Sequence, residues 1–486
     1  MFASENRRKW LSSAVTWSVV VLAIAFSAYV RLRLLQCPLE RDEGEYAYAG
    51  QLILRGIPPY QLTYNMKLPG TYLTYAGLMF VFGETTAGIH FGVLLVNVGA
   101  ILLLFLLARE LFDAHVAALA AAAYSILSAS YSVLGTAGHA THFVVLFTLP
   151  GIWLLWKGLR KDSLAMLFTS GLLLGTAFLM KQQAVFLLAF GGLASLFQSA
   201  PFQSWRWRRV LAHGTTYGAG GILPYAVICG WLWYAGVFDK FWFWTVTYAR
   251  EYVNQVPFQG AAERFLGRFA NIMVPNLSIV ILSLVGLIVV ARSVKRETGR
   301  SFFVLGMLLV TILCTCPGYY FRNHYFIVVL PMIALLFGIG SVVSLRWAAK
   351  WRLFITAPRV PSIQAGSRRR QTGPAPEPAG IAAYGFLFWP LGVLVIASLI
   401  FPIWRQRDLF IYWSAREASR KLYGRNPFPE SDVIADYIRS HTTPEQCIAV
   451  LGSEPQIFFL AKRISATSYI YMYELMEAHP FARQMQ

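Results

Sequence analysis

The chain has 486 residues, of which 57% are apolar and 13% charged, and its net charge is +19. Soluble domains carry roughly 25% charged residues, so an ordinary soluble assembly of domains is excluded. The apolar residues fall in runs of about 20, the length that crosses a bilayer as helix, and the positive balance sits in loops beside them, which points to anionic lipid and away from nucleic acid.

Eleven spans are predicted, at residues 11–31, 88–108, 114–132, 140–157, 163–180, 183–199, 213–236, 271–291, 301–317, 325–344 and 381–403. Each must be helical, because backbone groups in hydrocarbon have to bond within their own segment. Arg7, Arg8 and Lys9 precede the first span. With that end in the cytoplasm, the inner loops hold Lys157, Arg160 and Lys161, then Arg206, Arg208 and Arg209, then Arg292, Lys295, Arg296 and Arg300, then the stretch from Arg346 to Arg370. About 21 of the 42 Lys and Arg lie inside and about 11 in external loops, an asymmetry that orients the chain in the plasma (inner) membrane. An odd number of spans places the tail outside the cytoplasm. The apolar core of the first segment is too long for a signal peptide and leads straight into a charged loop, so it reads as an uncleaved anchor.

The expected architecture is an all-α polytopic membrane domain over residues 1–403, with a cytoplasmic linker at 345–380, followed by a small extracytoplasmic α/β segment at 404–486. The linker is Pro- and Arg-rich over 357–380 and carries no recognisable chemistry. In the tail, Pro429-Glu430-Ser431-Asp432 opens a helix ending near Ser440, and residues 447–452 read as a buried strand closed by a turn. So short a unit has little core of its own and is expected to pack on the external loops. The five cysteines include no CxxC pair and suggest no metal site.

The first external loop, residues 32–87, is the informative one. Glu40, Asp42, Glu43 and Glu45 bring four carboxylates together just after the first span. A helix cap explains them as well as chemistry does, with Asp42 as N-cap, Glu45 three residues on, and Gly56 and Pro58-Pro59 ending the helix. Tyr46, Ala49, Gly50 and Ile53 share a face, so that helix is expected to lie along the membrane surface. Lys67-Leu68-Pro69-Gly70-Thr71-Tyr72 then returns a cation to the bilayer before the chain re-enters it. Asp42 and Glu43 are adjacent on a helix and point about 100° apart, so one acceptor cannot easily meet both. Later external junctions contribute His139 and His142, Arg250 beside Glu251, and Tyr319-Tyr320-Phe321-Arg322-Asn323-His324-Tyr325. Lys181, between two short spans, is expected to reach for the interface.

The run Asp42-Glu43, Tyr46-Ala47, Gly56, Pro59, Lys67-Leu68-Pro69-Gly70, Tyr72, together with the Arg322–Tyr325 junction before Leu330-Pro331, resembles the GT-C superfamily of lipid-linked-sugar glycosyltransferases. Within it the likeness is to the branch of protein O-mannosyltransferases and the lipid A aminoarabinose transferase, and it extends over residues 10–345. One departure stands at Gly135–His142, where relatives often carry an acid. The resemblance implies transfer of a sugar from a polyprenyl-phosphate donor to a glycan, lipid or protein acceptor outside the cytoplasm. It casts Asp42 as base, Glu43 as its orienting or sugar-binding partner, and Lys67 as first phosphate ligand. Arg322, His324 and Tyr325 follow as substrate-binding residues, then His142 and Arg250. The resemblance makes no cofactor certain and leaves a divalent cation open. The rival reading is a flippase for the same lipid-linked sugar.

Overall fold

The computed structural model describes residues 2–197, 207–356, 388–477 and 479–485. These residues form helices and no strand. α1 (Phe2–Arg33) leads into α2 (Arg41–Leu54) and α3 (Gly70–Phe82) of the first loop. The bundle continues with α4 (Thr86–Leu111), α5 (Ala114–Leu127), α6 (Ala140–Lys161), α7 (Leu164–Met180), α8 (Val185–Phe197) and α9 (Trp207–Tyr234). Two short helices, α10 (Phe238–Trp242) and α11 (Ala249–Asn254), precede α12 (Ala261–Met273), α13 (Leu277–Arg292), α14 (Thr298–Leu313), α15 (Leu330–Thr356) and α16 (Phe388–Arg405). Each expected span overlaps one of these helices. Five stretches are long and apolar enough to cross a membrane: Ser13–Arg33, Thr86–Leu111, Ala140–Lys161, Ala261–Arg292 and Leu330–Trp347. Others, such as Ala114–Leu127 and Leu164–Met180, are apolar but shorter. The Pro-rich part of the expected linker, 357–380, lies outside the described residues.

Alanine-rich α5 is buried at the centre, packed against α1, α4 and α15. Where α13 crosses α15, a Cβ on Gly286 would lie 2.0 Å from the Leu336 carbonyl oxygen, and one on Gly340 would lie 2.0 Å from that of Leu282. Only hydrogen at both positions lets the backbones meet, the usual way apolar helices gain contact in lipid. The periphery shows the opposite character: Val21, Leu22, Ile222, Val227, Ile281, Leu284, Ile396 and Ile400 are exposed, a surface suited to acyl chains.

The tail continues as α17 (Ala415–Tyr423), α18 (Ser431–His441), α19 (Gln456–Ala461) and the single turns α20 (Tyr473–Met476) and α21 (Ala482–Met485). α18 forms where Ser431-Asp432 were expected to start a helix. The expected buried strand at 447–452 does not form. Ile448 makes one isolated parallel bridge to Ser465, and Leu451 is 90% exposed. With no second strand to extend the ladder, one bridge does not propagate. The tail lies on the first loop: Arg41 Nε donates to the Ser453 carbonyl at 2.7 Å, and the Tyr64 amide donates to that of Ser468 at 2.8 Å.

Candidate functional site

α2 departs from expectation at its first turn. Its N-cap is Glu40, whose carboxylate accepts from the Glu43 amide at 3.0 Å while Glu43 Oε2 accepts from the Glu40 amide at 3.2 Å. The capping box is therefore displaced two residues from Asp42 and Glu45. Glu43 is held there by tertiary contacts, accepting from the Gly138 amide at 2.5 Å and meeting His90 Nε2 of α4 at 3.0 Å. The acids left over, Asp42 and Glu45, are not needed to start the helix. Nor does α2 lie on the membrane surface: every residue from Glu43 to Leu52 is buried, between α3 and α19.

Asp42 and Glu45 share one cation. Lys67 Nζ lies 2.9 Å from Asp42 Oδ1 and 2.5 Å from Glu45 Oε2. Glu45 is fully buried and accepts from the hydroxyls of Tyr72 and, at 2.7 Å, Tyr471. Tyr46 places its ring 4.6 Å from the Lys67 ammonium. Burial would raise the Asp42 carboxyl, but the Lys67 ammonium outweighs it and holds it well below the usual carboxylate range. Burial alone would strip Lys67 of its proton, yet Asp42 and Glu45 drive its pKa up. Both groups are charged at neutral pH. Glu40 moves the other way, raised by burial and by its neighbours Asp42 and Glu43.

The second oxygen of Asp42 faces histidines. His324 Nε2 is 3.8 Å from Oδ2, the His139 and His324 rings stack at 4.2 Å, and His139 Nδ1 is 3.6 Å from Glu40 Oε1. Asp42, His139 and His324 present ligand atoms within 4.8 Å of one another. Neither ring nitrogen of His139 has a hydrogen-bond partner. Burial lowers the His139 imidazole to about 4 and His324 well below its ordinary value, so both are neutral, the state in which imidazole ligates. A carboxylate with two imidazoles fits zinc or manganese. His139 sits next to Gly138, in the segment that departs from the family pattern. That segment is anchored by Arg31 at the end of α1, which donates to the Ser128 carbonyl at 2.9 Å and to that of Gly135 at 3.2 Å.

Beyond the histidines lie cations without acids of their own. Lys181 Nζ rests 3.9 Å from the centre of the Tyr325 ring, and Arg322 donates to the Tyr252 hydroxyl at 3.2 Å. Among the described residues no carboxylate is within 4.0 Å of either. Thr71 Oγ1 donates to the Met180 carbonyl at 2.9 Å and Gln182 Nε2 to that of Met66 at 2.5 Å, which ties the end of α7 to the Lys67 segment. Burial lowers the Lys181 ammonium to about 7, with Asp42 opposing and Lys67 and Arg322 adding to the fall.

The structure thus gathers Asp42, Lys67, His324, Tyr325 and Arg322 of the expected residues. Glu43 is buried and turned toward His90, away from Asp42's partners. His142 is buried in the first turn of α6 and forms no ion pair among the described residues. Arg250 is exposed in α11, and the expected pair with Glu251 is not among the ion pairs of the described residues. Tyr471 was missed, Glu45 was read only as part of a cap, and His139 and Lys181 were given no place in the site. Glu45 had a signal, being a fourth acid beyond what a cap needs. A separate cavity of about 340 Å³ opens at the other end of the bundle, between the Asp113–Arg346 and Glu297–Arg300 pairs. Its charges are already matched in pairs.

Residues 67–234 match the family model described as dolichyl-phosphate-mannose-protein mannosyltransferase. Over 235 residues the chain is 30% identical to an undecaprenyl phosphate-alpha-4-amino-4-deoxy-L-arabinose arabinosyl transferase of Pseudomonas aeruginosa. That match takes in 45% of this chain and 40% of the length of the relative. The crystal structure of ArnT from Cupriavidus metallidurans in the apo state superposes with a TM-score of 0.60 at 16% identity, covering 94% of this chain and 86% of that one. The chain spans less than half the length of the curated relatives it matches. It is an integral membrane protein. The archaeal oligosaccharyltransferase AglB from Archaeoglobus fulgidus, in complex with an inhibitory peptide and a dolichol-phosphate, is similar in fold, at a TM-score of 0.55 and 14% identity over 94% of this chain and 65% of that one.

Proposed function

We propose that the chain transfers a sugar from a polyprenyl-phosphate donor to a hydroxyl or phosphate oxygen of a glycan, lipid or protein acceptor, on the outer face of the membrane. The observation that carries this reading is the ionised Asp42, paired with Lys67 on one side and facing unpaired Lys181 and Arg322 on the other. An acceptor oxygen attacks the anomeric carbon, and the bond from that carbon to the phosphate oxygen breaks. The electron pair leaves with the polyprenyl phosphate, and Asp42 takes the proton of a hydroxyl acceptor. Such a base contributes roughly 10²–10⁴ in rate. Asp42 alone is too weakly basic, but a phosphate nearby adds negative charge and raises its proton affinity. Lys67 is already shared by two carboxylates, so Lys181 and Arg322 are the better phosphate ligands, stabilising the charge that develops on departure. Lys67 then serves to hold Asp42 ionised and aimed. Asp42, His139 and His324 would hold a divalent cation, which when bound supplies Lewis-acid stabilisation of anionic oxygen.

The flippase reading has less behind it. The relatives named above are transferases, and the ionisable residues gather at one end of the bundle rather than at mid-membrane. The test is transfer of label from a panel of radiolabelled polyprenyl-phosphate sugars to membrane extract by the purified protein. Transfer by wild type, and a loss of roughly 10²–10⁴ in Asp42→Asn with the fold intact, is the expected result. No transfer from any donor, or equal transfer by the variant, overturns the reading.

A further inference from the structure

We infer that the C-terminal segment is a working part of the catalytic centre, with Tyr471 as the positioning residue that acts through Glu45 to hold Lys67 against Asp42. The inference rests on the transferase reading of Asp42 given above. Tyr471 lies 426 residues from Glu45 in sequence, yet its hydroxyl is 2.7 Å from Glu45 Oε2. The same hydroxyl is 3.1 Å from the Arg41 carbonyl. A phenol has one proton to donate, and the shorter bond to a carboxylate is the stronger, so the proton goes to Glu45.

Glu45 is fully buried, and it has three donors: Tyr72 on Oε1, and Lys67 and Tyr471 on Oε2. Lys67 in turn has two carboxylates, Glu45 and Asp42, and its position between them depends on how much of Glu45's charge is satisfied elsewhere. Removing the Tyr471 proton leaves a buried carboxylate short of a donor. Among the described residues the cation in contact with Glu45 is Lys67, which is drawn toward Glu45 and away from Asp42. The Tyr471 ring, 5.9 Å from the Lys67 ammonium, and the Tyr46 ring, at 4.6 Å, add aromatic walls to the same cation. The segment bearing Tyr471 is itself fastened down. The Ser465 amide donates to the Tyr48 hydroxyl at 2.8 Å, and Ser468 Oγ donates to the Gln61 carbonyl at 3.0 Å.

Tyr48 provides the control, because its hydroxyl binds the same tail to the same helix without touching Lys67, Glu45 or Asp42. Wild type, Y471F and Y48F are compared in two assays. One follows acylation of Lys67 by a small amine-reactive reagent, read by mass spectrometry of its peptide. The other follows sugar transfer, resolved into kcat and donor KM. Slower Lys67 acylation in Y471F alone, with kcat down roughly tenfold or more at unchanged KM, is the expected result, because the ammonium moves toward a buried carboxylate. Three results overturn the inference: Lys67 acylated at the wild-type rate or faster in Y471F, equal harm from Y48F, or slower acylation with kcat unchanged. If wild type transfers no sugar, the transferase reading fails, and the acylation assay still decides whether Tyr471 positions Lys67.

Discussion

Asp42 stands two residues past the N-cap of α2, at a point where a helix start favours negative charge but does not require it. What makes it chemically distinct is the company of Lys67 on Oδ1 and His324 across from Oδ2. Two consequences are testable at this scale. The donor phosphate needs Lys181 protonated, and burial has brought that ammonium to about 7. A lowered lysine pKa means the cation is present below about 7 and lost above it. Affinity for polyprenyl phosphate therefore falls as pH rises through 7, and Lys181→Arg, which stays charged, flattens that profile. Titration of binding at several pH values checks this. The second concerns the ligand group. After exposure to zinc or manganese and removal of free metal, roughly one ion per chain remains bound, and His139→Ala with His324→Ala releases it. Elemental analysis of the protein decides the point.

Among the elements, α2 carries most of the site, and it is held from both sides by close approach. A Cβ on Gly44 would fall 2.5 Å from the Gln456 amide nitrogen of α19, and one on Gly50 2.9 Å from the Ala76 amide nitrogen of α3. Gly44→Ala should thus push the tail off α2, at about 1–3 kcal/mol of stability. Its signature is a lower unfolding midpoint with faster proteolysis within the tail. Gly77→Ala in α3, where the space beyond the glycine is open, should leave both unchanged. The capping box shows how an element can be legible while its boundary is not. Asp42 and Glu45 have the right spacing for a box, and Asp caps better than Glu. Glu40 and Glu43 form it instead, because His90 and Gly138 take Glu43 inward while Lys67 and two tyrosines claim Glu45.

For the molecule as a whole, we propose an orientation with the N-terminus cytoplasmic and the tail outside, as the distribution of Lys and Arg implies. The tail contains a natural reporter. Cys447 is exposed, whereas Cys314 is buried and Cys37, Cys229 and Cys316 are partly so. A membrane-impermeant maleimide should label Cys447 in right-side-out vesicles, and Cys447→Ser should abolish that signal. Labelling confined to inside-out vesicles would reverse the proposed orientation. The tail's position also bears on activity, since it brings Tyr471 to the same acid that the first loop supplies.

The sequence alone determined what local chemistry dictates. Apolar run length decides that the chain enters a membrane, and the acids and Lys67 of the first loop stand out because charge beside a bilayer is costly without a use. Each of those runs overlaps a helix of the described residues. Tertiary structure decided the partners. Lys67 meets Glu45 across 22 residues, Thr71 ties the end of α7 to the loop across 109, and Tyr471 reaches Glu45 across 426. No periodicity encodes such distances, because they depend on which helix packs beside which. The tail's expected strand failed for the same reason. A strand needs a partner, and in this fold Ile448 found only Ser465.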